Sequence, residues 1–396
     1  MMGRLISTGL AMLLAACATR DSRPTTVIDT LPSGVITVHN SAPVAWSDSG
    51  HAWRFREVAR IIGTDDAASA LINPRSSALD PLGRIVVVEE SPLSIRILSR
   101  DGQIIRAFSR DGSGPGELRS PTVGVIGPFI VADDPQLGRL EVFDSTGELL
   151  HEYPAPCCYG YPIATDGNNH AYIRTGDAAD STLGAMFVRI DVTSGVADTI
   201  RLPKLGESKS WDFSGPQFKV SYGIPYSPHE VVAFTAAGRI LYGWSADYRW
   251  AELGFGRDTA RLVSKDWAPV ERPEPIRRAR FDTLAGYASR RFGEAEVKRV
   301  FDFSDIPVNA QAMQELESDP AGRVWVSIFT GDTVYSHFDV FDSTGAWLGR
   351  LRSPWHAHEQ VTWRTADEVL TRGETEEGFP MLRIWRMQRG QGGPAK

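Results

Sequence analysis

The chain has 396 residues, including 37 glycines and 25 prolines, and a formal net charge of −7. This mild acidity, without a basic stripe interleaved with aromatic side chains, argues against nucleic-acid binding. Beyond the first residues no segment has the ~20 consecutive apolar residues of a membrane-spanning helix. A chain of this length could hold two or three domains, so internal repeats must decide the domain count.

The first sixteen residues are predicted to be a lipoprotein signal peptide. Arg4 supplies a positive charge, an apolar run follows, and Leu14-Ala15-Ala16-Cys17 looks like a bacterial lipobox. We expect cleavage before Cys17, lipidation of Cys17 and a tether over residues 17–45. Ala18 is not the aspartate that retains lipoproteins at the inner membrane, which favours an outer-membrane anchor facing the periplasm. An ordinary secretory signal that happens to contain Cys17 is the alternative.

A hairpin motif recurs along the chain at a regular distance. Gly102, Gly147 and Gly195 each end such a turn, 45 to 48 residues apart, and Phe341-Asp342-Ser343-Thr344-Gly345 repeats the sequence around Gly147 letter for letter. Asp-Gly and related turns join antiparallel strands. A period of roughly 40–50 residues with about four short strands is typical of a β-propeller blade.

The strand pattern predicts an all-β domain over residues 46–390, a six-bladed β-propeller of four-stranded antiparallel blades. The last blade offers only three strands, and an open edge would be a liability. We therefore expect an N-terminal strand near residues 53–62 to close the ring. A small helical insertion is predicted at about 266–312, between blades four and five, and residues 391–396 form a flexible tail. The predicted blades cover about 77–110, 122–153, 161–202, 231–264, 314–351 and 358–387.

The two faces of this propeller differ in their loops. One face carries stereotyped turns such as Asp80-Pro81-Leu82-Gly83, whose Asp and Gly have a structural task. The other face carries irregular loops, and each of the six brings at least one carboxylate. The predicted acidic rim would attract a cationic ligand, a basic partner segment or Ca²⁺. Its members are Glu89, Glu90, Asp133, Asp134, Asp177, Asp180, Asp247, Asp332, Glu374, Glu376 and Glu377.

The sequence contains few patterns that indicate catalysis. His356, His358 and Glu359 form an H-x-H-E string, but it lies at a blade junction that would not aim both imidazoles at one metal. No Gly-x-Ser-x-Gly elbow or Walker-type loop occurs. Cys157 and Cys158 are adjacent, and a strained vicinal disulfide and two buried thiols both stay open. We assign no catalytic residue, metal ligand or cofactor.

Together these features resemble a known family. Asp-Pro-x-Gly-Arg before a β-run, then the Gly114-Pro115-Gly116-Glu117 turn, is similar to the six-bladed β-propeller lipoproteins of bacteria, relatives of the NHL-repeat propellers. The resemblance covers roughly residues 45–390 and implies a protein that binds other proteins or ligands. The helical insertion and the single Gly-Pro-Gly-Glu turn depart from the family pattern.

We therefore expect a lipid-anchored, monomeric envelope protein that acts as a binding or scaffold protein through its loop face. Its partners would be the membrane, through the lipidated N-terminus, and an envelope protein or small ligand, with a cationic one favoured by the rim. The alternative is a metal-dependent hydrolase or lyase of the gluconolactonase-like propeller type. That alternative requires three or more metal-ligating side chains to meet at the mouth of the central channel.

Overall fold

Six antiparallel sheets follow one another along the chain and form the blades of a propeller. The computed structural model describes residues 25–46, 52–64, 66, 70–155, 162–175, 183–215, 218–254, 258–363 and 365–388. Each blade is a meander in which the first strand lies innermost, so consecutive strands are neighbours. The six-bladed propeller and its four-stranded antiparallel blades are thereby confirmed.

Three strands precede the first blade, namely β1 (Thr26–Thr30), β2 (Ile36–Asn40) and β3 (Arg54–Ile62). Blade one consists of β4 to β7, which span Pro74–Leu79, Ile85–Glu90, Leu93–Leu98 and Ile104–Phe108. Blade two consists of β8 to β11, which span Thr122–Ile126, Phe129–Asp134, Arg139–Phe143 and Leu149–Pro154. Blade three consists of β12 to β15, which span Ala164–Thr165, His170–Thr175, Leu183–Asp191 and Ala197–Pro203.

A separate hairpin of β16 (Ser210–Gly215) and β17 (Phe218–Gly223) precedes blade four. Blade four consists of β18 to β21, which span Glu230–Phe234, Ile240–Trp244, Arg249–Leu253 and Thr259–Lys265. Blade five consists of β22 to β25, which span Glu315–Ser318, Val324–Ile328, Tyr335–Phe341 and Trp347–His356. The last three strands, β26 to β28, span Gln360–Trp363, Glu368–Glu374 and Pro380–Gln388.

The predicted closing strand is present. Strand β3 pairs antiparallel with β28 from Met381↔Ile62 to Gln388↔Arg54 and becomes the fourth strand of blade six. Ile61 on β3 is only 6% exposed and packs in an apolar cluster with side chains of blades six and one. The first and last parts of the ring therefore share one hydrophobic core.

The stereotyped turns have the structural task expected of them. Asp80 accepts hydrogen bonds from the backbone N–H of Arg84 (2.8 Å) and from its guanidinium Nε (2.6 Å). Asp319 accepts the corresponding bonds from Arg323. In the two identical Asp-Ser-Thr-Gly turns, Asp144 and Asp342 each accept bonds from the threonine N–H and hydroxyl two residues on. Repeated sequence thus gives repeated local geometry.

The N-terminal segment adds to blade four. Strand β1 pairs antiparallel with β2, and β2 pairs in parallel with β21, so this blade has six strands. The buried Asn40 donates to the carbonyls of Ser264 and Gly345 and accepts from the N–H of Trp347 (2.8 Å). The described part of the predicted tether, from residue 25, therefore contains a β-hairpin fixed between blades four and five.

The predicted helical insertion is present as α1 (Glu274–Phe292), α2 (Glu294–Val300) and a 3₁₀ turn (Phe303–Asp305). Its packing partner, the β16–β17 hairpin, was absent from the sequence prediction. Trp211 of the hairpin stacks on Phe301 (ring centroids 4.2 Å apart), and Phe213 stacks on Phe292 (4.3 Å). We call this unit of hairpin and helices the annex, and it has its own small apolar core.

We predict that Ile61→Ala will destabilise the ring by about 2–5 kcal/mol, because the truncated side chain leaves a cavity between blades six and one. Its neighbour Ile62 is 46% exposed on the same strand and is the matched control. Ile62→Ala should cost about 1 kcal/mol or less. Urea-unfolding midpoints measure both effects, and equal losses for the two variants would contradict closure through a buried Ile61.

Candidate functional site

A cavity of about 680 Å³ lies on the propeller axis, walled by the innermost strands. Each innermost strand ends at the turn to its second strand, so all of them begin at the face with the irregular loops. The lining residues extend along the inner strands, from Arg75 to Leu79 on β4 and from Gln360 to Trp363 on β26, and the cavity is called the central channel below. Side chains from the inner strands of five blades line it, including Arg75, Thr122, Thr165, Glu315 and Gln360.

Two carboxylates of blade five point into the central channel. Glu315 and Glu317 alternate on β22 with Leu316, which is 5% exposed and packs in the core between blades. Because side chains two residues apart lie on one face of a strand, both glutamates face the axis, with Glu317 about 6–7 Å deeper. The indole Nε1–H of Trp363 donates to Glu317 Oε2 at 3.0 Å.

The electrostatic environment of these carboxylates is unusual. Burial raises the pKa of Glu317 to about 8, and the negative charge of Glu315 adds to the shift. No Lys or Arg of the described residues forms an ion pair with Glu315 or Glu317. Arg75 also lines the channel, but it already pairs with Glu90 at 2.9 Å. The channel therefore offers two acidic groups without a cationic partner.

Several other polar groups of the channel wall make hydrogen bonds or ion pairs within the protein. Ser76 Oγ accepts a hydrogen bond from the N–H of Val123 at 3.0 Å. The carboxylate of Glu359 pairs with Arg383 and accepts the N–H of His356 at 2.8 Å. His358 lines the channel, and its ring centre lies 5.4 Å from that of His356. The channel can thus hydrogen-bond a polar ligand, and Glu315 and Glu317 are its acidic groups without an ion-pair partner among the described residues.

The H-x-H-E string does not form a metal site in this arrangement. Glu359 is tied to Arg383, and the ring of His356 packs edge-on against Tyr335 (5.5 Å). Across the described part of the chain, no three His, Cys, Asp or Glu side chains converge in a way that could hold a metal ion. The residues present therefore do not fit the metal centre that the hydrolase or lyase alternative requires.

Several members of the predicted acidic rim serve local structure. Glu89 is buried and accepts the N–H groups of Ile72 and Asn73 at 3.1 and 2.9 Å. Asp134 is fully buried and accepts four backbone N–H groups from two neighbouring loops. Asp133 beside it is 4% exposed, and burial together with the charge of Asp134 raises its pKa to about 7.

The remaining rim members are spread around the loop face. Asp332 bonds to His337 (2.9 Å), and this bond with nearby N–H groups lowers the pKa of Asp332. Asp247 lies 3.7 Å from Arg249, and Glu90 pairs with Arg75. Three members, Glu374, Glu376 and Glu377, are exposed on one blade-six loop. Five predicted positions lie outside the described residues: Asp177, Asp180, the cysteine pair Cys157 and Cys158, and the predicted lipidation site Cys17.

The sequence analysis missed Glu315 and Glu317, although a signal was present. The alternation Glu315-Leu316-Glu317 stands directly before the Asp319 turn, which marks an innermost strand. On this strand Glu315 and Glu317 line the central channel, whereas Leu316 between them packs in the core. Charged residues at these positions are the pattern that would have led to the channel.

Comparisons with known proteins bear on the fold alone. No protein-family model matches the chain, and no curated protein sequence matches it. Among solved structures, a member of the DUF4221 family from Bacteroides vulgatus is 11% identical with a TM-score of 0.52, covering 86% of this chain and 99% of that one. A putative exported protein from Bacteroides fragilis is 11% identical with a TM-score of 0.48, covering 89% and 99% respectively.

More distant propellers include virginiamycin B lyase from Staphylococcus aureus, which is 9% identical with a TM-score of 0.40 and covers 86% of this chain and 89% of that one. Identities this low say nothing about activity, since one fold carries many functions. The DUF4221 structure, with its TM-score of 0.52, agrees with the propeller fold seen here, and the site must be argued from this chain's own residues.

We predict a pH-dependent stability that depends on Glu317. Its pKa of about 8 lies above the ordinary 4.5, so its stabilising contribution is complete below pH 4.5 and is lost as pH rises through about 8. The melting temperature of the native chain should therefore fall between about pH 4.5 and 8 relative to that of Glu317→Gln, which mimics the protonated side chain.

Burial also raises the pKa of Asp133 and of Glu141 to about 7, so these groups contribute to the pH dependence of the native chain. The effect of Glu317 is therefore measured as the difference in melting temperature between the native chain and the variant at each pH. Glu376→Gln, at an exposed loop position, is the control and should keep the native pH profile. Identical pH profiles for the native chain and Glu317→Gln would show that Glu317 does not titrate in this range.

Proposed function

We propose that this protein is a lipid-anchored binding protein of the bacterial envelope whose central channel takes a small polar ligand with a cationic group. The observation that carries the proposal is the pair Glu315 and Glu317, which face the channel without a cationic partner among the described residues. The ligand would enter from the face with the irregular loops, where the innermost strands begin.

The chemistry of the channel favours an organic cation. Removing a carboxylate from water without a counter-charge is costly, and a ligand ammonium group would relieve that cost for Glu317. Trp363 and Phe338 also line the channel and present ring surfaces that attract cations. Serine, threonine and glutamine side chains supply neutral hydrogen-bond partners for the rest of the ligand.

The metal-dependent hydrolase or lyase stays the alternative from the sequence analysis, and no observation favours it. Its ligand set would have to come from at least three converging side chains, which the described residues do not provide. We therefore derive no metal-dependent step, and the binding function is preferred.

Anchoring is proposed from the sequence alone, on Leu14-Ala15-Ala16-Cys17. In the part of the chain covered by the structure, no helix is long and apolar enough to cross a membrane. A single acyl chain gives weak membrane binding, whereas several acyl chains on one cysteine hold a protein firmly. The proposed location is the outer membrane, facing the periplasm.

Lipidation is tested by expressing the chain in a bacterium fed with radiolabelled palmitate. The native chain should incorporate label and fractionate with outer membranes, because Cys17 carries the acyl chains. Cys17→Ser should lose the label and leave the membrane fraction or accumulate uncleaved. Label retained by Cys17→Ser, or a native chain released without detergent, would contradict the anchor.

Ligand binding is tested by calorimetric titration of the full chain, purified in detergent, with cadaverine as a simple organic cation. The double variant E315Q/E317Q should bind cadaverine at least about tenfold more weakly, since it removes both carboxyl groups that can pair with an ammonium group but keeps the side-chain shape. The control E376Q/E377Q removes the same number of carboxyl groups from an exposed loop and should bind like the native chain. If both double variants lose the same affinity for cadaverine, the effect comes from the net charge of the protein, and the channel site is overturned.

A further inference from the structure

A second cavity of about 500 Å³, here called the side pocket, borders the central channel. The annex provides one wall of it, through Lys209 before β16 and Arg280 on α1. Gln314 and Glu315 at the start of β22 provide another wall, and both residues also line the central channel. The annex is thus placed beside the entrance to the channel.

The walls of the side pocket are well anchored. His229 lines the pocket and contacts two backbone carbonyl groups. Its Nε2 atom lies 3.1 Å from the carbonyl oxygen of Gln314, and its Nδ1 atom lies 3.3 Å from the carbonyl oxygen of Ser227. Ile224 donates its N–H to the carbonyl of Lys209 at 3.1 Å. On the annex side, the indole of Trp211 donates to Asp305 at 2.8 Å. These bonds tie the annex wall and the propeller wall to fixed backbone positions.

The charge of the side pocket is opposite to that of the channel. Lys209 and Arg280 are exposed in it, and neither forms an ion pair with a described residue, Glu315 included. A third cation lies behind the wall, because Arg272 is 4% exposed and sandwiched between the rings of Tyr226 (3.9 Å) and Phe329 (4.0 Å). Among the described residues, Glu315 is the one acidic residue that lines the side pocket.

Arg272 strengthens the case for an anionic ligand group. Its Nε and Nη2 are buried and make no hydrogen bond to any described residue. The Oγ of Ser227 and the Oε1 of Gln311, in two residues that line the side pocket, are likewise buried without a partner. A buried guanidinium without a carboxylate partner leaves uncompensated positive charge behind Tyr226, which favours an anion in the adjoining cavity.

We propose that the central channel and the side pocket form one site for a dipolar ligand of the amino-acid or short-peptide class. Its ammonium group points to Glu315 and Glu317, and its carboxylate lies against Lys209 and Arg280. The inference rests on the proposed function and adds the anionic group and the role of the annex. Peptide groups between the two charges match the serine, threonine and glutamine side chains of the channel wall.

The test compares three forms of alanine peptides of two, three and four residues, titrated against the full chain in detergent. The free peptide carries both charges, the peptide amide carries only the ammonium group, and the N-acetyl peptide carries only the carboxylate. We expect the free peptide of at least one length to bind about tenfold or more tighter than its amide and its N-acetyl form, since each loses one charged contact.

Variants assign each charge to its pocket. K209Q/R280Q should weaken the free peptide about tenfold but leave the amide unchanged, whereas E315Q/E317Q should weaken both. R290Q/R291Q, two exposed cations on α1 that do not line the side pocket, is the matched control and should bind like the native chain. Melting curves verify that each variant is folded.

The outcomes separate the two proposals. If an amide binds as tightly as the free peptide and still depends on Glu315 and Glu317, the channel site stands and the dipolar ligand is overturned. If K209Q/R280Q and R290Q/R291Q lose the same affinity, the effect is long-range charge and the side pocket has no role. If no peptide form of any length binds, the dipolar ligand is overturned, and the cadaverine titration decides the proposed function by itself.

Discussion

The pairing of β3 with β28 is the constraint on which the rest of the molecule depends. A ring of blades is rigid only when its first and last members are joined, and here one strand from the start of the chain completes the last blade. Two kinds of interaction hold this pairing together. Backbone hydrogen bonds join the two strands, and the apolar cluster around Ile61 packs against them. With the ring closed, the innermost strands hold fixed distances across the axis, and the central channel keeps its shape.

The closed ring also fixes the positions of the carboxylates that line the central channel. Strand β22 has one side packed in the core and one side lining the channel, so its carboxylates are held beside a well-packed neighbour. Leu316 anchors β22 in the core, and Glu315 and Glu317 are thereby held toward the axis. At the deeper position, burial and the negative charge of Glu315 raise the pKa of Glu317. In the function that we propose, this strand is the preorganised part of a site for a cation.

The annex forms one wall of the side pocket, which borders the central channel. Its hairpin and helices are far apart in sequence, yet their aromatic side chains pack into one core that stands beside the channel entrance. Cations of the annex and carboxylates of the propeller then line neighbouring cavities with a common wall. By contrast, Glu89, Asp134 and Asp332 of the loop face use their carboxylates to hold local backbone. Acidic residues in loops and acidic residues on inner strands therefore have different tasks in this fold.

The sequence by itself determined the blade count, the closing strand and the helices, because these follow from local signals. Turn residues such as Asp80 and Gly83 specify hairpins, alternation specifies strands, and a last blade with three strands requires a fourth. Only the tertiary structure decided where β1 and β2 attach and that the β16–β17 hairpin packs on α1 and α2, since these contacts join segments far apart in the chain. It also decided which glutamates are desolvated. A glutamate in a loop and one on a strand look alike in sequence, and their solvation depends on neighbours contributed by other blades.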